Sequence, residues 1–130
     1  MPAHFRPWLS SALLALTGGL LSAQAAHAAG DPERGASLYQ TRCAACHAPD
    51  FNGVGPAHRG VFGRQAGTAS GFGYSPALRA SGVRWTAQTL DRWLTDPEAM
   101  VPGQRMGIHV DDPRDRADLI AFLQTLRAAP

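Results

Sequence analysis

Short helices joined by long ordered loops, closed into one small helical domain, is the fold class this 130-residue sequence predicts. Three observations predict it. Proline stands at or near the first position of three candidate helices, at Pro32, Pro76 and Pro113, where a fixed φ and a missing N–H do no harm. Fourteen glycines and ten prolines limit the length of any regular element. About one hundred residues remain once a leader is subtracted, near the size at which a protein-only core becomes marginal. Short elements of this kind make more sense wrapped round a bound group than as a helical bundle.

The chain opens on a signal peptide over residues 1–28. His4 and Arg6 form a weakly basic start, Trp8 to Leu21 the apolar run, and Ala26-His27-Ala28 an A-x-A cleavage site. That run is fourteen residues long and carries Ser10, Ser11, Thr17 and Gly18, whereas a membrane-spanning helix needs about twenty apolar residues. Cleavage after Ala28 and export to a periplasm-like compartment are expected, with residues 29–130 as the single domain and no stable membrane anchor.

Asp31-Pro32-Glu33 sets a capping residue, a proline and an acid in the order that starts a helix, expected to run to about Arg42. Gly35 and Tyr39, four residues apart, share a face on which the glycine lets another helix approach closely. Cys43-Ala44-Ala45-Cys46-His47 follows and holds both cysteines of the chain. Two thiols two residues apart can each add across a vinyl group of one porphyrin, and the next residue then has its imidazole beside the iron. The string reads as the attachment site of one covalent haem c, through Cys43 and Cys46, with His47 as iron ligand. A disulfide, a redox dithiol and half a zinc site are the other readings. A redox dithiol does not need the histidine, and His58 and His109 do not supply the second cluster that zinc requires. Attachment of haem c is completed on the exported side of a bacterial membrane, so leader and string support one another.

Pro49 to Gly73 is too dense in glycine for regular structure and reads as one long loop, held by the haem edge. Ser75 to Ala80 predicts a short helix with Gly82 as its terminator. Thr86 caps the next, in which Leu90, Trp93 and Leu94 recur at helical spacing until Asp96-Pro97 stops it. Val101 to Val110 reads as a further loop. Asp112-Pro113 then starts a final helix to about Arg127, with Leu119, Phe122, Leu123 and Leu126 as its apolar stripe and Arg116, Asp118 and Arg127 on its solvated side.

A haem iron that carries electrons is best held by two permanent ligands, and Met106 is the candidate for the second. In Pro102-Gly103-Gln104-Arg105-Met106, proline and glycine punctuate a turn able to present the thioether opposite His47. Sulfur favours ferrous iron relative to a second imidazole and raises the reduction potential. Met100 precedes the turn and reads as packing; His58 and His109 are the remaining rivals.

All twelve basic residues are arginine, against ten acids, for a formal net charge of +2. Two haem propionates would bring the exported domain close to neutral. No strong basic field for nucleic acid or anionic membrane is present.

Taken in order, Gly30 to Gly35, Cys43 to His47, Gly55-Pro56, Phe62-Gly63-Arg64, Gly71 to Tyr74, Gly82 to Trp85, Pro102 to Met106 and Asp118 to Leu123 resemble the class I cytochromes c, the mitochondrial and small bacterial periplasmic kinds above all. The resemblance covers residues 30–127. It implies an all-α fold in which the first and last helices cross, with Gly35 and Tyr39 meeting the neighbourhood of Phe122. It also implies that Pro56 offers its carbonyl to the non-ligating nitrogen of His47, and that Arg64, Tyr74 and Trp85 reach the propionates. The implied function is that of a soluble, monomeric electron carrier meeting redox proteins transiently, not an enzyme. A haem peroxidase would need a labile sixth ligand and a distal acid–base group, and the four-helix gas sensors carry their attachment string near the C-terminus. This sequence departs from the family at Trp93, where a tyrosine is usual, at Gln104 for a threonine, Leu78 for an asparagine, His58 for a leucine, Ile108 for a phenylalanine and Arg105 for a lysine.

Overall fold

Side-chain oxygens begin every helix of the computed structural model, which describes Met1 and residues 29–128. The apolar run of the leader and its cleavage site lie outside the described residues. Helix α1 (Pro32–Arg42) starts where the Asp31 carboxylate accepts the backbone N–H groups of Glu33 and Arg34 at 2.9 and 3.2 Å. Helix α2 (Pro76–Ala80) is capped by Ser75, and Gly82 follows with φ +66°, the left-handed conformation that suits a chain leaving a helix. Helix α3 (Ala87–Thr95) begins in a reciprocal box between Thr86 and Thr89 and buries Leu90, Trp93 and Leu94.

Asp96-Pro97 does more than stop α3. Its carboxylate accepts the Ala99 N–H at 2.9 Å and so starts helix α4 (Pro97–Met100), a single turn that the sequence reading had merged into a stop signal. Cap and proline stand in the same order as at α1. Helix α5 (Pro113–Thr125) opens on Asp112 and ends two residues short of the expected Arg127, because Leu126 leaves helical geometry at ψ 62°.

The first and last helices cross at glycine. A Cβ on Gly35 would overlap the Asp118 carbonyl and lie 2.9 Å from Phe122 Cβ, so no other residue allows this approach without moving α5. Beside that contact the Tyr39 and Phe122 rings meet at 5.1 Å. Tyr39, Leu119 and Val110 are the most deeply buried large side chains.

One expectation about α5 is corrected. Asp118 is 3% exposed rather than on the solvated side, and Asp115 is 6% exposed. Arg34 of α1 pairs with both carboxylates, Arg42 reaches Asp115 at 3.2 Å, and Asp118 also accepts the Asp31 N–H at 2.7 Å. Arg116 likewise turns inward, to Asp91 of α3 at 2.7 Å and to the carbonyls of Val110 and Asp111. Burial of a charge is tolerable where partners of this kind surround it. Arg127 is exposed as expected.

Protein contacts, not the haem edge alone, order the glycine-rich loop. Gly63 and Ala66 donate to the Trp85 and Val83 carbonyls at 2.7 Å, Trp85 donates back to Arg64 at 2.9 Å, and Gly60 donates to Leu126. The Ala66 and Trp85 bonds form one antiparallel bridge, Gln65 to Arg84, and the described residues contain no longer strand.

Candidate functional site

Residues released at the end of α1 build the first wall of a cavity of about 320 Å³. Cys43 N–H bonds to Tyr39, and the Cys46 and His47 N–H groups both return to the Cys43 carbonyl, at 3.0 and 2.9 Å. That single turn brings two thiols and one imidazole to the same space. Both thiols are free and half-buried. Burial pushes the Cys43 thiol up to about 11, against the lowering influence of Arg42. A redox dithiol needs the opposite shift, toward thiolate, so the environment does not suit disulfide exchange.

His47 is held from behind. Its Nδ1 lies 2.8 Å from the Pro56 carbonyl, which can only accept, so Nδ1 carries the proton and Nε2 keeps its lone pair for a metal. Burial lowers the His47 pKa, outweighing the Pro56 bond that raises it, and a neutral ring is the form that ligates. Gly55 makes the approach possible: a Cβ there would lie 2.6 Å from ring atoms of His47.

All eight residues singled out in the sequence line this one cavity: Cys43, Cys46, His47, Pro56, Arg64, Tyr74, Trp85 and Met106. Met100 does not line it, and neither does His109, which is exposed. Arg64 is steadied by donating to the Arg59 and Ala57 carbonyls, both at 3.0 Å, which leaves other N–H groups of its guanidinium for a further acceptor. The Tyr74 hydroxyl accepts the Ala69 N–H at 3.2 Å and keeps its own proton to donate. Trp85 is buried edge-on to Trp93, ring centroids 5.3 Å apart, so the tryptophan that replaces the usual tyrosine serves as wall.

His58 stacks on His47 at 4.0 Å with rings 18° apart. Its Nδ1 meets the Tyr39 hydroxyl at 3.1 Å. Burial first, then His47 and Arg64, hold its pKa down to about 3, so the ring is neutral. A ring stacked beside His47 is badly placed to ligate from the opposite face. Sequence reasoning weighed His58 as a rival ligand and as a departure from the family but did not find its partner, because a tyrosine nineteen residues earlier carries no local signal. It also missed Asn52, whose amide donates to the Ser70 carbonyl at 3.0 Å and accepts the Ala57 N–H at 2.9 Å, tying distant stretches of the glycine-rich loop together.

The residues present fit haem c. Two free thiols, an imidazole with one nitrogen free, a thioether and donors suited to carboxylates surround a mainly apolar space within the size range of cofactor sites, about 300–1,000 Å³. No group of three or more metal-ligating His, Cys, Asp or Glu side chains exists among the described residues, so a bare metal ion has no comparable cage there.

Comparison with known proteins agrees with the geometry. The family model described as Cytochrome c matches residues 32–127. A cytochrome c2 of Rhodomicrobium vannielii is 43% identical over 117 residues, covering 86% of this chain and 93% of the relative. Cytochrome c of Arabidopsis thaliana is 40% identical over 99 residues, 73% of this chain and 88% of its own length. Among solved structures, cytochrome cH from Methylobacterium extorquens superposes with a TM-score of 0.71 at 42% identity, covering 74% of this chain and 99% of that one. With the thiol pair, the oriented histidine and the helix crossing all in place, the chain belongs to the cytochrome c family: an electron-transfer protein, not an enzyme, that binds haem c covalently at its Cys-x-x-Cys-His string and passes electrons to redox partners.

Proposed function

We propose that this chain is a soluble periplasmic one-electron carrier whose haem iron is held between His47 and Met106. Bound in the cavity, the haem supplies a ferric/ferrous couple that gains and loses one electron without breaking a substrate bond. Convergence of His47 and Met106 on one apolar cavity, with the His47 proton committed to Pro56, is the observation that carries the reading.

Each residue has a defined task. Cys43 and Cys46 tether through thioethers, which fix the cofactor against loss and tilt. Pro56 holds the imidazole plane and raises its basicity. Met106 would supply the iron with a second permanent ligand, leaving oxygen and peroxide no vacancy, and its soft sulfur would raise the potential. Arg64, Tyr74 and Trp85 would hold the propionates, whose charge is costly in an apolar cavity without donors. A site gripped on both sides changes little between redox states, so little reorganisation opposes exchange.

The leader over residues 1–28 and the attachment string favour a periplasmic site of action. No helix among the described residues is long and apolar enough to cross a membrane. Near-neutral overall charge suits a monomer that meets redox proteins through small, short-lived interfaces rather than nucleic acid or a lipid surface.

Replacing Met106 with alanine tests the assignment. The near-infrared band of sulfur-ligated ferric haem is expected to vanish, the potential to fall, and the ferrous iron to bind carbon monoxide readily. Unchanged spectra and potential would show that Met106 is not bound.

A further inference from the structure

Between the end of α4 and Val110 the chain has no helix, yet the thioether proposed as iron ligand sits in the middle of it. Backbone bonds hold this segment only sparsely: Gln104 N–H to Val101 at 3.1 Å at one end, and Val110 N–H to Leu94 at 2.7 Å at the other. Side chains do the rest. Glu98, in the first turn of α4, divides its carboxylate between two donors, the Gly103 N–H at 2.9 Å and the Gln104 amide nitrogen at 3.2 Å. The Gln104 amide oxygen in turn accepts the Met106 N–H. Gly103, at φ +88°, supplies the reversal that brings these groups together.

We propose that Glu98 and Gln104 form a side-chain clamp that presents Met106 to the cavity, which makes Glu98 a positioning residue for the axial ligand although it touches neither haem nor methionine. The inference rests on Met106 being that ligand. Its logic is one of matched donors and acceptors. Glu98 has two acceptor oxygens facing two donors, and Gln104 has one donor and one acceptor facing Glu98 and Met106. Loss of Glu98 leaves the Gln104 amide free to rotate and the Gly103 turn without its partner. The thioether then spends more time away from iron, and an external ligand competes more easily.

The test is a titration of the full ferric holoprotein with imidazole, read by loss of the near-infrared sulfur band. Glu98→Ala and Gln104→Ala are each expected to raise imidazole affinity on the order of five- to thirty-fold, the factor that one or two hydrogen bonds carry. Gln104→Glu keeps an acceptor for Met106 but sets carboxylate against carboxylate, and it should loosen the loop as well. The exchanged pair E98Q/Q104E restores every donor to an acceptor, and its affinity should return to within about two-fold of the wild type. Glu33→Gln, on the exposed start of α1, serves as the control without effect. Equal imidazole affinity in wild type, E98A and Q104A overturns the clamp while leaving Met106 ligation standing. A loosened E98Q/Q104E pair also overturns it, since simple damage to the loop would not be repaired by exchange. A wild-type protein with no sulfur band overturns both the clamp and the ligation.

Discussion

His58 shows how one polar ring becomes tolerable inside an apolar wall. The Tyr39 hydroxyl satisfies one nitrogen, stacking on His47 covers a face, and burial keeps the ring uncharged. Arg64 is the contrasting case, a permanent charge on the same wall, steadied by two carbonyls. Its consequence is electrostatic. Reduction adds one negative charge to the haem, so a nearby cation stabilises the ferrous form. Arg64→Ala should therefore lower the potential, by roughly 50 mV if the charges lie about 15 Å apart in an effective dielectric of ~20. A spectroelectrochemical titration that finds a rise would reject the propionate role. The attachment string was legible in sequence because its chemistry demands contiguity: two thiols and an imidazole must come from one turn. Arg64 and Trp85 were legible only through resemblance, since an arginine in a loop and a tryptophan near a helix look the same whether they face a cofactor, a core or solvent.

Helices in this molecule are marked by what precedes them. Asp31-Pro32, Ser75-Pro76, Asp96-Pro97 and Asp112-Pro113 each join a side-chain acceptor to a proline that needs no acceptor, and each starts a helix. The signal was readable, although at Asp96 it was taken for a stop because one dipeptide serves two helices. Pairing between helices was less readable. Periodicity places Asp118 on a side of α5 but does not reveal that Arg34 arrives from α1 to meet it. The α1–α5 crossing yields two expectations. Gly35→Ala puts a methyl group against the Asp118 carbonyl and should cost about 1–3 kcal/mol in denaturant unfolding; an unchanged midpoint would mean that the helices do not meet there. The Asp31 N–H first, then Arg34, hold the Asp118 carboxyl below the usual carboxylate range, against the raising effect of burial. A carboxyl depressed in the folded state contributes stability that is complete above its unfolded value near 3.9 and is lost as pH falls through the lower folded one. Asp118→Asn should be less stable at neutral pH yet lose less of what remains as pH falls below the ordinary carboxylate value. Parallel acid-unfolding curves for the two proteins would contradict the latch.

At the scale of the molecule, the cavity and the core share their walls. Leu90, Trp93, Leu94, Val110, Leu119 and Leu123 belong to the buried cluster and also face the haem space, so the cofactor completes a core that the chain alone leaves hollow. An unfilled apolar cavity costs on the order of 24 cal/mol per Å³. A hollow of about 320 Å³ in the middle of the core is therefore a serious loss for a domain whose whole stability is about 5–15 kcal/mol. The α1–α5 crossing lends Tyr39, Leu119 and Leu123 to the cavity wall but does not fill the space. The same chain with Cys43 and Cys46 both replaced by alanine and its haem extracted is therefore expected to lack a cooperative thermal transition and fixed aromatic packing, with α1 and α5 retaining part of their helicity. Near-ultraviolet circular dichroism, dominated here by tryptophans of the cavity wall, should collapse while far-ultraviolet signal falls only in part. Extraction itself is informative, since the double variant should give up its haem to acid-acetone and the unaltered protein should not. A haem-free chain that melts cooperatively within a few degrees of the holoprotein would show that the helices close the hollow by themselves, and that the cofactor is a passenger in the fold rather than part of its core.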